Sequence, residues 1–226
     1  MLRPMEIGVL GATGPAGRGL AARLASLGHD VIAGSRDLAR SASAVNELSE
    51  RWGDRLSALV PGTNADAAVA RDLAIVATTW DGAVDTTRAH ADLLGDKVVV
   101  AMANGLVRVG KEFQPVLPEE GSLAAAMQAV APGARVVAAF QHVPAAAFAA
   151  LDEPLESDVV VCGDDEAARV TVLDLVHAMP NLRGFDAGSL ANAIGIEAFA
   201  AVLLSINMRH RGKGTLRLLG VESGRA

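Results

Sequence analysis

The amino-acid sequence predicts an α/β fold, a doubly wound and mainly parallel sheet with a small helical cap at its C-terminal end. Three observations predict it. Short apolar runs alternate with amphipathic stretches along most of the chain, and that alternation implies parallel strands with helices on both faces. The apolar runs are continuous and valine-rich, as strands buried on both faces must be. Of the 226 residues, 51% are hydrophobic but only 3% aromatic, with no tyrosine, so the core must come from alanine- and valine-rich helices packed closely on a sheet.

The elements follow in order. Residues 7–10 form a first strand, and residues 16–27 a helix with Leu20, Leu24 and Leu27 on one face, ended by Gly28. A second strand over 31–33 leads into a helix over 38–51, with Val45 and Leu48 turned inward. The pattern then repeats: a weak strand over 56–60, a short helix over 64–71, a strong strand over 73–77 and a helix over 81–94. Strands over 97–102 and 135–139 flank a helix over 122–130. Pro144 marks a change. An alanine-rich stretch follows, then a strand over 158–162 and a helix over 164–179 whose acidic start, Asp164-Asp165-Glu166, suits the positive end of the helix dipole. A long apolar helix over 190–208 closes the pattern.

The first strand runs directly into Gly11-Ala12-Thr13-Gly14-Pro15-Ala16-Gly17. Gly11 permits a tight turn, Gly14 lets backbone approach a pyrophosphate, and Gly17 lets the helix pack on the sheet. The helix N-terminus offers free N–H groups to an anion, and Pro15 sits where its missing donor costs little. Glycines serve ordinary turns too, but strand before and helix after make this a dinucleotide-binding turn of the Rossmann type. The second strand ends in Gly34-Ser35-Arg36, without the carboxylate that would accept from a ribose 2′-hydroxyl. Ser35, Arg36 and, one helical turn on, Arg40 supply a hydroxyl and guanidinium groups for a 2′-phosphate, which points to NADP(H). The alternative is a solvated loop with Ser35 as a helix cap. Thr79-Trp80 follows the fourth strand, where the cofactor's ribose and nicotinamide would run; for Trp80, packing is the competing role.

Over nearly its whole length the chain resembles the NADPH-dependent reductases of coenzyme F420, a deazaflavin. The resemblance runs through Gly11-Ala12-Thr13-Gly14, Gly34-Ser35-Arg36, Trp80-Asp81-Gly82-Ala83-Val84 and Val143-Pro144-Ala145. It continues through Leu151-Asp152-Glu153, Val161-Cys162-Gly163-Asp164-Asp165 and Asp186-Ala187-Gly188-Ser189-Leu190. It implies hydride transfer between nicotinamide C4 and deazaflavin C5. It also implies that Thr13 to Ala16 hold the pyrophosphate, Val143 and Ala145 line the nicotinamide pocket, and Leu216 lies near the deazaflavin. Gln141-His142 departs from the His-Thr often found in that family. Direct hydride transfer needs no proton-transfer residue at the reacting carbon, so no catalytic residue in the strict sense is expected. Two rivals stand beside this reading: a reductase of another acceptor, such as a flavin or ferric complex, and a non-catalytic NADP(H) sensor.

The remaining features bound the partners. A net charge of −6 and the lack of aromatic platforms argue against nucleic acid. None of the five histidines is spaced as a metal ligand to another, so no metal is expected. His142 has two readings, a cofactor contact or a strand cap. Cys162, the single cysteine, reads as a small buried core residue and excludes an intramolecular disulfide, which suits a cytoplasmic protein. No secretory pattern precedes Met5-Glu6-Ile7. The 190–208 segment could span a bilayer by length, but it carries Asn192, Glu197 and Asn207 and reads as a buried helix at a homodimer interface. Arg209, Arg211, Lys213 and Arg217 are candidates to receive the anionic tail of F420, or form a solvated segment. Residues 1–143 are expected to bind NADP(H). Residues 144–226 are expected to cap the sheet and complete the second-substrate site, the whole forming one compact unit.

Overall fold

The structure is a computed structural model and describes residues 3–223. The first half runs β1 (Glu6–Leu10), α1 (Pro15–Ser26), β2 (Asp30–Ser35), α2 (Leu38–Trp52), β3 (Leu59–Thr63), α3 (Asn64–Ala68), β4 (Leu73–Val76), α4 (Trp80–Ala89), α5 (Ala91–Leu94) and β5 (Val98–Ala101). The second half runs β6 (Leu106–Val109), β7 (Glu112–Pro115), α6 (Leu123–Val130), β8 (Arg135–Ala138), α7 (Ala145–Ala149), β9 (Ser157–Gly163), α8 (Glu166–Ala178), β10 (Leu182–Asp186) and α9 (Ala193–His210).

The main sheet has the order β10-β9-β8-β5-β4-β1-β2-β3. From β1 the chain winds one way through β2 and β3, then returns to β4 on the other side, with Val9 beside both Ala33 and Ile75. The connections reverse direction between β1 and β4, and in open α/β sheets that switch point is where ligands bind. Two apolar layers flank the sheet. Ile7, Val9 and Ile75 pack with Leu20 and Leu24 of α1 and with Val172 of α8 on one face. Leu10, Val76 and Val99 pack with Met127 of α6 and Leu94 of α5 on the other. The doubly wound α/β class is therefore as the sequence predicts.

The C-terminal part differs in detail. The β9 strand pairs antiparallel with β8, Val137 opposite Gly163, and β10 then pairs parallel with β9. Three elements escape the sequence pattern: the β6–β7 hairpin, α7 and β10. The hairpin is mostly exposed and has no apolar alternation to reveal it. The helix expected over 81–94 breaks at His90, and the weak strand moves to Leu59–Thr63 because Leu56 closes a 3-10 turn instead.

The closing helix is buried on one side only. One face of α9 is buried through Ala193, Ile196, Ala200, Ala201 and Leu203, while Ile194, Val202, Leu204, Ile206 and Met208 are exposed. Leu190–His210 is long and apolar enough to cross a membrane, and 39% of its apolar window is buried. A helix apolar all round but packed on one side leaves a face in need of cover.

Candidate functional site

The turn after β1 is built for close approach. Gly11 has φ +82°, and a Cβ there would lie 2.7 Å from Thr78 Cγ2 and 2.9 Å from the Thr78 nitrogen. Gly14 is the N-cap of α1, its amide donating to the Gly11 carbonyl, and Pro15 opens the helix. No side chain caps this N-terminus, so its N–H groups are left for an anion. Gly17 sits within the helix, where a Cβ would meet the Gly11 carbonyl oxygen at 2.8 Å and Ala77 Cβ at 2.9 Å. It lets helix and turn pack in close contact. Asn64, the buried first residue of α3, accepts from the Gly11 amide through Oδ1 at 3.1 Å. Sequence reasoning missed Asn64. The capping box of Thr63 and Asp66, which places Asn64 at the head of α3, was the available signal.

A cavity of about 610 Å³ runs along this turn. Gly11, Thr13, Gly14, Pro15 and Ala16 line it. Ser35, Arg36, Arg40 and Thr79 line it as well, together with Asn64 and Asp81. Ser35 is buried at the end of β2, whereas Arg36 and Arg40 are exposed at the rim. The cap of α2 is Asp37, not Ser35: its carboxylate accepts from the Ala39 amide at 2.8 Å. That carboxylate is already used locally, and the cationic rim fits a 2′-phosphate. Trp80 begins α4 and lies outside the lining.

Ala16 is shared with a second cavity of about 220 Å³ at the C-terminal ends of β5 and β8. Val143 and Ala145 line it, as do Asn104, Gln141 and His142, and Leu203 and Asn207 of α9 close it. His142 Nε2 lies 2.6 Å from the Asp158 carbonyl oxygen. Burial pushes the His142 pKa down, outweighing that contact, and keeps the ring neutral. Burial pushes the Asp158 carboxyl up, but Arg183, the Leu218 amide and Arg217 together hold it below the ordinary carboxylate range.

Leu216 lies off both cavities and reaches them only indirectly: its carbonyl accepts from the Asp158 amide at 2.9 Å. In the basic segment, Arg209 pairs with Glu112 and Arg217 lies 3.7 Å from Asp158, while Arg211 and Lys213 are exposed. Cys162 is buried, which raises its thiol pKa to about 11. Among the described residues no group of three or more His, Cys, Asp or Glu could hold a metal ion.

Comparison with known proteins bears on this site. A profile described as "NADP oxidoreductase coenzyme F420-dependent" matches residues 6–105. The chain is 34% identical over 223 residues to an F420-dependent NADP reductase of Methanocaldococcus jannaschii, covering 96% of this chain and 100% of that one. It is 31% identical to the F420-dependent NADP reductase of Methanothermobacter thermautotrophicus, covering 92% and 91% of the two chains. A solved chain from Arthrobacter sp. FB24, described as a candidate F420-dependent NADP reductase, superposes with TM-score 0.81 at 26% identity, covering 95% of this chain and 99% of that one. The likeness to the two reductases covers more than nine-tenths of this chain, and the chain belongs to the F420-dependent NADP oxidoreductase family.

Proposed function

We propose that this protein is an oxidoreductase transferring a hydride between NADP(H) and coenzyme F420, with the two cavities that meet at Ala16 as its substrate sites. That junction carries the reading. A groove lined by the glycine turn, Ser35, Arg36 and Arg40 shares Ala16 with a chamber whose walls are mostly apolar but include Asn104, Gln141 and His142, a pairing that suits a dinucleotide and stacked heterocyclic rings. The bound rings supply the redox chemistry, nicotinamide C4 and deazaflavin C5 exchanging the hydride.

The protein's part is placement and exclusion of water. Thr13, Gly14, Pro15 and Ala16 receive the pyrophosphate at the uncapped N-terminus of α1. Ser35, Arg36 and Arg40 take the 2′-phosphate, and Thr79 flanks the ribose. Val143 and Ala145 press on the nicotinamide from the α7 side. Neither cavity is assigned an acid–base pair, because none is required. Residues 1–143 act as the NADP(H)-binding part, and residues 144–226 complete the second site through α9.

The exposed apolar face of α9 suits a second copy of the chain, giving a homodimer. The net charge of −6 offers nucleic acid no surface, and Glu197, buried against α6, ties α9 to the protein rather than to lipid. A reducing cytoplasm suits the lone Cys162. Adding NADPH to protein and oxidised F420 tests the assignment: the deazaflavin absorbance band bleaches, and activity confined to free flavin contradicts it.

A further inference from the structure

The second cavity has an unbalanced set of hydrogen-bonding groups. The Asn104 amide nitrogen donates to the Gln141 carbonyl at 2.6 Å. The Gln141 amide nitrogen donates to the Ala101 carbonyl at 3.0 Å. His142 Nε2 donates to the Asp158 carbonyl at 2.6 Å. Each partner is a backbone carbonyl, which can only accept, so both amide orientations and the histidine tautomer are fixed by chemistry.

What remains in each case is an acceptor. Asn104 Oδ1, Gln141 Oε1 and His142 Nδ1 are buried and have no hydrogen-bond partner. Gln141 is 6% exposed and His142 4%. The cavity's other polar side chain, Asn207, is used at both ends by Gly214. The rest of the lining includes Met102, Phe140 and Leu203. Buried acceptors without donors are costly, and three residues lining one cavity that each keep such an acceptor point to a ligand that brings the donors.

We propose that Asn104, Gln141 and His142 form a specificity-determining acceptor set that reads N–H donors on the edge of the heterocycle held in the second cavity. The inference rests on the NADP(H)–F420 reading of the site. The shared chemistry is a planar amide or imide N–H. The nicotinamide carboxamide carries it, and so does the pyrimidinedione edge of the deazaflavin. A ring edge without N–H groups leaves the acceptors unpaired and is rejected, because a site built to hydrogen-bond discriminates strongly against the analogue that cannot.

Calorimetric binding to the full chain tests this without turnover. The probes are NADP+, its 3-acetylpyridine analogue (amide nitrogen replaced by methyl), F420 and F420 methylated at the imide nitrogen. At least one analogue binds about tenfold or more weaker than its parent, and the affected analogue identifies the donor. In Gln141→Leu and His142→Phe the discrimination shrinks to about twofold, while 2′-phospho-ADP-ribose, which lacks the ring, still binds both variants as it binds the parent protein. Two analogues that match their parents, or discrimination that survives both substitutions, overturn the acceptor set. Discrimination without hydride transfer to F420 sinks the functional reading alone; hydride transfer without discrimination sinks this inference alone.

Discussion

The Gly11 amide donates to Asn64 Oδ1 across 3.1 Å, so the turn leaving β1 is held by the first residue of α3. Asn64→Ala leaves a partly buried N–H without its partner in the lining of the cofactor groove. The expected cost is about 1–3 kcal/mol of stability, read as a lower urea midpoint, with weaker NADPH binding as the turn loosens.

Arg36 and Arg40 stand at the rim beside buried Ser35. Arg36→Ala removes a charge-assisted contact worth about 1.5–3 kcal/mol to a 2′-phosphate, so NADPH binding falls more than about tenfold. NADH binding, which has no such phosphate, barely changes. Titration of both nucleotides checks this, and equal losses would contradict the 2′-phosphate assignment.

The buried Arg23 of α1 donates to the carbonyls of Ala147, Phe148 and Ala150, at 2.9, 3.3 and 2.7 Å. It thereby fastens the end of α7, whose first residue, Ala145, lines the second cavity. Arg23→Met keeps the apolar stem but strands those carbonyls, at about 2–4 kcal/mol in chemical denaturation. The Michaelis constant for F420 rises along with the loss.

The doubly wound half was legible because its strands are continuous apolar runs and its turn is spelled in glycines. Leu73–Val76 is buried at every residue, and Gly11 and Gly17 each sit where a Cβ would collide. The edge strand β10 hid itself: it carries Arg183, which pairs with Asp158 on β9, and so has no apolar run. The β6–β7 hairpin is tied to α9 by the Phe113 amide donating to Ser205 Oγ, a contact between residues distant in sequence. At the site, the glycine turn and Ser35, Arg36 and Arg40, all of which line the first cavity, were readable from local motifs. The Thr63–Asp66 capping box marks only where Asn64 sits; its role, like that of Asn104, comes from a partner far along the chain, Gly11 and Gln141. Leu216 came from the resemblance alone and lies off the cavity.

Glu197 of α9 accepts from the Leu123 and Ala124 amides at the start of α6, at 2.8 and 3.1 Å. Burial raises its pKa to about 7, outweighing those two bonds, which act in the opposite direction. Between the ordinary value of about 4.5 and about 7, the folded protein keeps a proton that the unfolded chain has released. This contribution is therefore fully present below about 4.5 and is lost as pH rises through about 7, a change on the order of 3 kcal/mol. Urea midpoints measured across that range fall for the parent protein relative to Glu197→Gln. Parallel profiles would show that Glu197 does not titrate there.

The central claim is that the two cavities bring nicotinamide and deazaflavin together for direct transfer. NADPH deuterated at the transferring C4 position, reacted with oxidised F420 in ordinary water, tests it most directly. Mass spectrometry of the reduced deazaflavin should find the deuterium at C5 with no loss to solvent. Deuterium appearing in water, or no labelled product while free flavin is reduced instead, would contradict the account.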